Sequence, residues 1–263
     1  MNKNLLALAV AGALSSPLIA MADEPASPLS FNVGVTSDYL FRGVSQTHGK
    51  PAVQAGVDYA FENGSYVGAW ASSISWVKNW TGDGSLEIDV YGGYKGAITD
   101  DLGFDVGYIT YNYPGKGPAN AGLANPNTQE VYAALSYKWL TAKYSYATSS
   151  HFVGWYGGAA LDEKTRGSDY LELNANYDLG DGWTLIGHVG HQKIKKNSSA
   201  SYTDWKIGAS KDVGFGVVSL TYSDTNAEAC SDASLAYCWA KSDGSDLKNV
   251  AKGKAVLSFT KTF

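Results

Sequence analysis

Beyond its first twenty-two residues the sequence has no stretch near the roughly 18 consecutive apolar residues of a membrane-spanning helix. Charge is scarce too. Only 17% of residues are Asp, Glu, Lys or Arg, and the formal net charge of −5 becomes −6 once Lys3 is lost with a cleaved leader. An acidic balance of this kind argues against a nucleic-acid partner. Cysteine is limited to Cys230 and Cys238, short of the four ligands a structural zinc wants, and no histidine lies in their loop. The four histidines are His48, His151, His188 and His191. His188 and His191 are three apart, which on a strand turns them to opposite faces. No metal or cofactor site is expected. Ser149-Ser150-His151 has no nucleophile elbow around it, and the loop "GKGPANAGLANPN" at 115–127 lacks the Gly-Lys-Ser/Thr ending and following helix of a phosphate cradle.

Aromatics and glycine are abundant instead: 18 Tyr, 8 Trp and 30 Gly. That pairing suits thin, twisted sheets with aromatic belts. At the amino terminus, Lys3, the apolar run Leu5 to Leu14 and the small-residue pattern Ala20-Met21-Ala22 read as a secretory leader over 1–22, cut before Asp23. The alternative, a membrane helix, is short and interrupted by Ser15, Ser16 and Pro17. Residues 23–29 read as a linker. The remainder, 30–263, reads as one barrel domain.

That remainder repeats one theme, segments of about ten residues that alternate apolar and polar, the per-strand mark of a membrane barrel. Twelve are predicted: 30–41, 52–61, 65–77, 86–95, 102–113, 128–137, 140–149, 169–179, 183–191, 202–211, 215–224 and 254–263. The segment 169–179 is the cleanest, with Leu171, Leu173, Ala175, Tyr177 and Leu179 opposing Glu172, Asn174 and Asn176. Short links alternate with long ones, and Asn63-Gly64 and Asp181-Gly182 are hairpin turn pairs. The expected fold is therefore all-β: a transmembrane antiparallel β-barrel of about twelve strands with short periplasmic turns and long extracellular loops. A soluble β-sandwich also has loops at both ends. It gives no reason for strict alternation of loop lengths. The expected location is the outer membrane of a Gram-negative cell, with lipids as neighbours.

The closing run "GKAVLSFTKTF" sets Leu257, Phe259 and Phe263 on one face, with Lys261 where an aromatic is usual. It resembles the carboxy-terminal signal of outer-membrane proteins, which implies recognition of Phe259 and Phe263 by the barrel-assembly machinery. "FNVGVTSDYLFRGVSQT" at 31–47, "YVGAWASSISW" at 66–76 and "LEIDVYGGYKG" at 86–96 resemble the TorF-like porin family of proteobacteria. The resemblance implies an outer-membrane pore and supplies no substrate.

Parity assigns Asp38, Asp58, Glu87, Asp89, Asp105, Glu130, Glu172 and Asp204 to the lumen, against Lys95, Lys143 and Lys206, with His188 neutral and Arg42 at the mouth. Tyr39 and Phe41 are expected to face lipid at the outer boundary. Arg42 either selects a solute or ties the first outer loop to a lumen carboxylate. Cys230 and Cys238, exported into an oxidising compartment, are expected to form a disulfide. The surplus of carboxylates suits a passive channel for ions or small hydrophilic solutes, with a weak preference for cations. A closed structural or adhesive barrel, whose lumen charges pair internally, is the alternative. An outer-membrane hydrolase ranks behind both, and the protein is read as no enzyme. Oligomeric state is not readable from these residues.

Overall fold

The computed structural model describes residues 27–81, 83–115, 124–160, 162–228, 230–231, 236–240 and 244–263. The leader expected over 1–22 lies outside them. Sixteen strands and one short α-helix order the described chain. Strand β1 is Leu29–Thr36, followed by the small pair β2 (Leu40–Phe41) and β3 (Val44–Ser45). Then come β4 (Ala52–Ala60), β5 (Ser65–Ser73), the helix α1 (Trp76–Thr81), β6 (Leu86–Ala97), β7 (Leu102–Asn112), β8 (Thr128–Tyr137) and β9 (Leu140–Ala147). The second half holds β10 (Asp169–Gly180), β11 (Trp183–Lys193), β12 (Tyr202–Asp212), β13 (Val217–Thr225), the small pair β14 (Cys238–Trp239) and β15 (Lys248–Asn249), and finally β16 (Lys254–Thr262).

Twelve of these close into a single barrel in the order β1-β16-β13-β12-β11-β10-β9-β8-β7-β6-β5-β4, and β4 pairs back onto β1. Every neighbouring pair is antiparallel. The seam is β1 against β16, with Asn32 opposite Thr262 and Thr36 opposite Ser258. Closure leaves no unpaired strand edge, the one way strands satisfy their backbone in lipid. The twelve segments expected from alternation are the twelve barrel strands, within a few residues at their ends.

The pleat sorts the side chains. In β10, Leu171, Leu173, Tyr177 and Leu179 are exposed while Tyr170 is buried inside. The same holds around the barrel, so Val53, Val67, Val90, Leu135, Ile207, Leu220 and Leu257 form a continuous apolar outer surface. Tyr59, Phe61, Trp139, Tyr177, Trp183, Phe215 and Phe263 ring its short-turn end, and Tyr146, Trp205 and Tyr222 lie toward the other. Some of these rings pack in pairs, Trp139 with Tyr177 at 5.7 Å and Phe215 with Phe259 at 5.8 Å. An apolar band between two aromatic girdles is the surface of a barrel embedded in a bilayer.

Both described chain ends and all the tight turns share one end. Asp181 and Gly182 take φ of 51° and 76°, the paired positive values of a turn that matches strand twist. The long links share the other end. Two expectations fail there. Segment 65–77 stops at Ser73, and Trp76–Thr81 coils into α1, fixed where the amides of Ser75 and Trp76 donate to the Gln46 carbonyl at 2.9 and 3.2 Å. Segment 30–41 stops at Thr36, and Leu40–Phe41 belong to a separate small strand outside the barrel ladder.

Candidate functional site

After Thr36 the chain turns into the barrel. Asp38 makes the bend: its carboxylate accepts from Ser45 Oγ at 2.6 Å and Thr47 Oγ1 at 2.8 Å and pairs with Lys254 Nζ of β16 at 2.9 Å. Strands β2 and β3 then pair as a small hairpin, with Phe41 opposite Val44. Its tip is Arg42-Gly43, with φ of 49° and 79°. Residues 42–48 are all buried.

Tyr39 and Phe41 therefore do not face lipid. Tyr39 is 3% exposed, its hydroxyl donates to Glu87 Oε1 of β6 at 2.7 Å, and its ring meets Trp70 edge-on at 5.4 Å. Phe41 is half-buried against Tyr111 at 5.5 Å. The alternation that reads as a lipid-facing strand is the alternation of a hairpin folded inward, because the bend at Ser37-Asp38 takes the whole segment off the barrel wall. Burial, reinforced by Glu87, raises the Tyr39 phenol well above its usual range, so it stays a proton donor.

Arg42 crosses the lumen to the far wall instead of resting at the mouth. Its Nη2 donates to Glu130 Oε2 of β8 at 2.7 Å and its Nη1 to Glu130 Oε1 at 3.1 Å and to Gln192 Oε1 of β11 at 2.7 Å. The guanidinium lies 4.2 Å from the centroid of the Tyr170 ring and 5.5 Å from that of Phe152. Tyr111 also donates to Glu130, at 3.1 Å, and Tyr202 donates to the Arg42 carbonyl at 2.8 Å. Burial alone would lower the pKa of Arg42. The Glu130 carboxylate outweighs it and holds the group above its ordinary range, hence charged.

The other long links close over this hairpin. Ser45 N–H donates to the Val250 carbonyl at 2.8 Å, Tyr237 donates to the Ala200 carbonyl at 2.6 Å, and Trp76 and Trp239 pack at 6.1 Å. A cavity of about 30 Å³ between Phe41, Gln46, Phe152, Tyr202 and Tyr237 has room for about two waters. The Cys230–Cys238 disulfide pins the last link, at a Cα–Cα distance of 5.1 Å.

Below the hairpin the lumen is polar, and its charges mostly face partners. Asp105 of β7 accepts from Tyr66 at 2.7 Å, Tyr66 bonds Tyr132, and Lys95 lies opposite Asp105 in register. Lys143 lies opposite Glu172 in register and 4.1 Å from the Tyr132 ring centroid. His188 bonds Asp204 Oδ2 at 2.9 Å and Asn174 Oδ1 at 2.7 Å, beside Glu172 at 3.6 Å, with Lys206 opposite it in register. Asp58 accepts from Tyr91 at 2.6 Å. Asp89 is the exception: it is 2% exposed and its Oδ1 has no hydrogen-bond partner among the described residues.

The hairpin thus joins Asp38, Arg42, Glu87 and Glu130 into one outer layer. Asp58, Lys95, Asp105, Lys143, Glu172, His188, Asp204 and Lys206 form the layer beneath, and Asp89 lies between. Sequence reading missed Tyr39, Tyr111, Tyr170, Gln192, Tyr202 and Lys254. Parity could have found Tyr111, Tyr170, Tyr202 and Lys254, whose segments were placed, whereas Gln192 lies one residue past the expected segment 183–191. Among the described residues no group of three or more His, Cys, Asp or Glu side chains is set to hold a metal. Ser149 Oγ donates to the His151 carbonyl at 2.8 Å, while the His151 ring packs on Tyr156, so the pair is not a nucleophile and its base.

A closed twelve-stranded barrel with an apolar belt and a polar lumen defines the class: this is the fold of the outer-membrane porins. The chain belongs to the family described as bacterial protein of unknown function (Gcw_chp), which matches residues 22–263. Among solved structures the chain is similar to the KdgM porin, with a TM-score of 0.52 and 8% identity over 89% of this chain and 99% of that one. It is similar also to the KdgM porin in complex with disordered oligogalacturonate, with a TM-score of 0.51 and 8% identity over 89% and 98% of the two chains. The NanC porin gives a TM-score of 0.47 at 11% identity over 89% and 97%. At these identities the likeness is one of fold. No curated protein sequence matches the chain.

Proposed function

We propose that this protein is an outer-membrane channel for passive diffusion of ions or small hydrophilic solutes, closed from its long-loop end by the hairpin at Arg42. The observation that carries the reading is the lumen itself. It carries eight carboxylates, at Asp38, Asp58, Glu87, Asp89, Asp105, Glu130, Glu172 and Asp204, a surplus of one sign that suits passage of counter-ions. The resemblance to TorF-like porins supports the same reading. The protein acts on its solutes only by passing them, without a cofactor or a chemical step. Its short-turn end with both chain ends faces the periplasm, and its long loops face outward.

Those eight carboxylates face five lumen cations, Arg42, Lys95, Lys143, Lys206 and Lys254, with His188 beside them. Three of the cations lie opposite an acid or His188 in register, so the basic residues form no continuous track for an acidic solute. An oligogalacturonate, the acidic ligand in the KdgM complex, is therefore a poor candidate here. A confined surplus of negative charge lowers the barrier for cations. In a planar bilayer under a salt gradient the reversal potential should lie on the cation side. The preference should fade toward 1 M salt, where the Debye length is about 3 Å. An anion-side potential sinks this selectivity.

One observation favours a second reading, a permanently closed structural barrel: residues 42–48 are buried inside the barrel and other long links pack over them. Conductance of a barrel freed of the hairpin separates the two: a channel then conducts and a structural barrel stays silent.

We propose also that the leader over 1–22 exports the chain and that Phe259 and Phe263 present it to the barrel-assembly machinery. Phe263 is 65% exposed, and its backbone pairs with Phe31 across the seam, its N–H donating at 2.8 Å. Deleting Phe263 should lower the amount of protein in the outer-membrane fraction several-fold. Equal amounts in deleted and intact chains speak against the role.

A further inference from the structure

Arg42 occupies a site with the build of a receptor. Its walls come from three strands of the barrel, β8, β10 and β11, which the ladder holds in place, while Arg42 itself comes from the tip of a small hairpin. Glu130 offers both carboxylate oxygens to the guanidinium, at 2.7 and 3.1 Å, and Gln192 Oε1 accepts from it at 2.7 Å. Glu130 and Gln192 are each 1% exposed. The Tyr170 ring, 4.2 Å from the guanidinium carbon, covers one face. Carboxylate fork, amide oxygen and aromatic face together recognise a guanidinium and fit an ammonium less well.

A hairpin that served only as a latch would need no more acid than it neutralises. Here there is more. Asp89 lies opposite Tyr111 in register, and Tyr111 donates to Glu130, so a second buried carboxylate stands beside the first with its Oδ1 unpartnered among the described residues. The wall carries a carboxyl group beyond the one that the chain's own cation engages.

We propose that Glu130, Gln192 and Tyr170 form a binding site for a small solute bearing a guanidinium group, and that Arg42 is its tethered occupant, which such a solute displaces. This rests on the channel reading, because displacement frees the hairpin that closes the lumen. The tether gives Arg42 an effective concentration in the millimolar range or above, so a free solute competes only at comparable concentration. A dilute solute then leaves the barrel closed and an abundant one opens it.

The test is titration calorimetry of the refolded barrel in detergent with methylguanidinium, alongside methylammonium as a probe of equal charge. R42A should bind methylguanidinium saturably, R42A/E130Q at least tenfold more weakly, and methylammonium about tenfold more weakly than methylguanidinium. Wild type should show weaker apparent binding than R42A. If R42A does not refold, R42K, which keeps a charge but loses the fork, should bind methylguanidinium about tenfold better than wild type. Equal binding by R42A and R42A/E130Q, or equal binding by R42K and wild type, overturns the site. Bilayer currents from the same R42A preparation separate the two readings. Binding without current keeps the site and removes the channel. Current without Glu130-dependent binding keeps the channel and removes the site.

Discussion

Replacing Glu130 by Gln is expected to turn a mostly closed barrel into a mostly open one. The substitution keeps shape and removes the counter-charge of a buried guanidinium. Breaking such a pair from one side costs about 3–5 kcal/mol, because the remaining charge stays desolvated. Gln192 and the Tyr170 ring stay in place, so the low end of that range applies. At about 1.4 kcal/mol per factor of ten, the closed state loses about a hundredfold in population. Arg42 regains water only if the hairpin withdraws from the lumen. Single-channel recordings should show long openings in E130Q where the wild type is mainly silent. The barrel should keep its β-rich far-UV spectrum, since all twelve ladder pairings lie outside the hairpin. An E130Q trace as silent as the wild type would mean the ion pair does not hold the gate.

The second large effect belongs to Gly43, and a neighbouring glycine controls for it. Gly43 sits at φ +79°, and a Cβ there would come within 2.7 Å of Thr225 Cγ2 and 2.8 Å of the Asp204 Cβ. Gly49, at φ +77°, would meet nothing within 4 Å. Substitution by Ala puts the same left-handed strain, about 1–2 kcal/mol, on both. Only Gly43→Ala adds a steric clash against the barrel wall. Recordings should therefore show frequent openings in G43A and near-wild-type silence in G49A. Equal behaviour of the two would reduce the effect to backbone strain and remove any role for the close fit of the hairpin tip.

The barrel was legible because lipid on one side and a polar lumen on the other impose a period of two on each strand. Leu171, Leu173, Tyr177 and Leu179 opposing Glu172 and Asn174 can be read from ten residues. The rhythm of links, from Asp181-Gly182 at one end to 226–253 at the other, gave strand direction and both ends. The hairpin was not legible for the converse reason. Tyr39 and Phe41 alternate with Asp38 and Leu40 as a strand would, and the groups that turn them inward lie far along the chain. Asp38 needs Lys254, Tyr39 needs Glu87, and Arg42 needs Glu130 and Gln192. A local pattern cannot distinguish a strand facing lipid from a hairpin facing the opposite wall. Trp76 shows the same limit. Its apolar neighbours extend the pattern of β5, yet the contact that decides their shape is the Gln46 carbonyl at the base of the hairpin. The pairing of Cys230 with Cys238 needed no such contact, since the two cysteines lie eight apart in one loop.

On the proposed reading the hairpin, and not the barrel wall, closes this lumen. The Gln46 amide donates to the Tyr39 carbonyl at 2.7 Å, so the hairpin leaves and rejoins the wall at one place and can be cut out there. Single-channel conductance of the wild type should be compared with that of a chain in which residues 40–45 are replaced by Gly-Ser-Gly. The wild type should be closed most of the time, and the shortened chain should conduct continuously with a cation-side reversal potential. A shortened, correctly folded barrel that passes no more current than the wild type would contradict it.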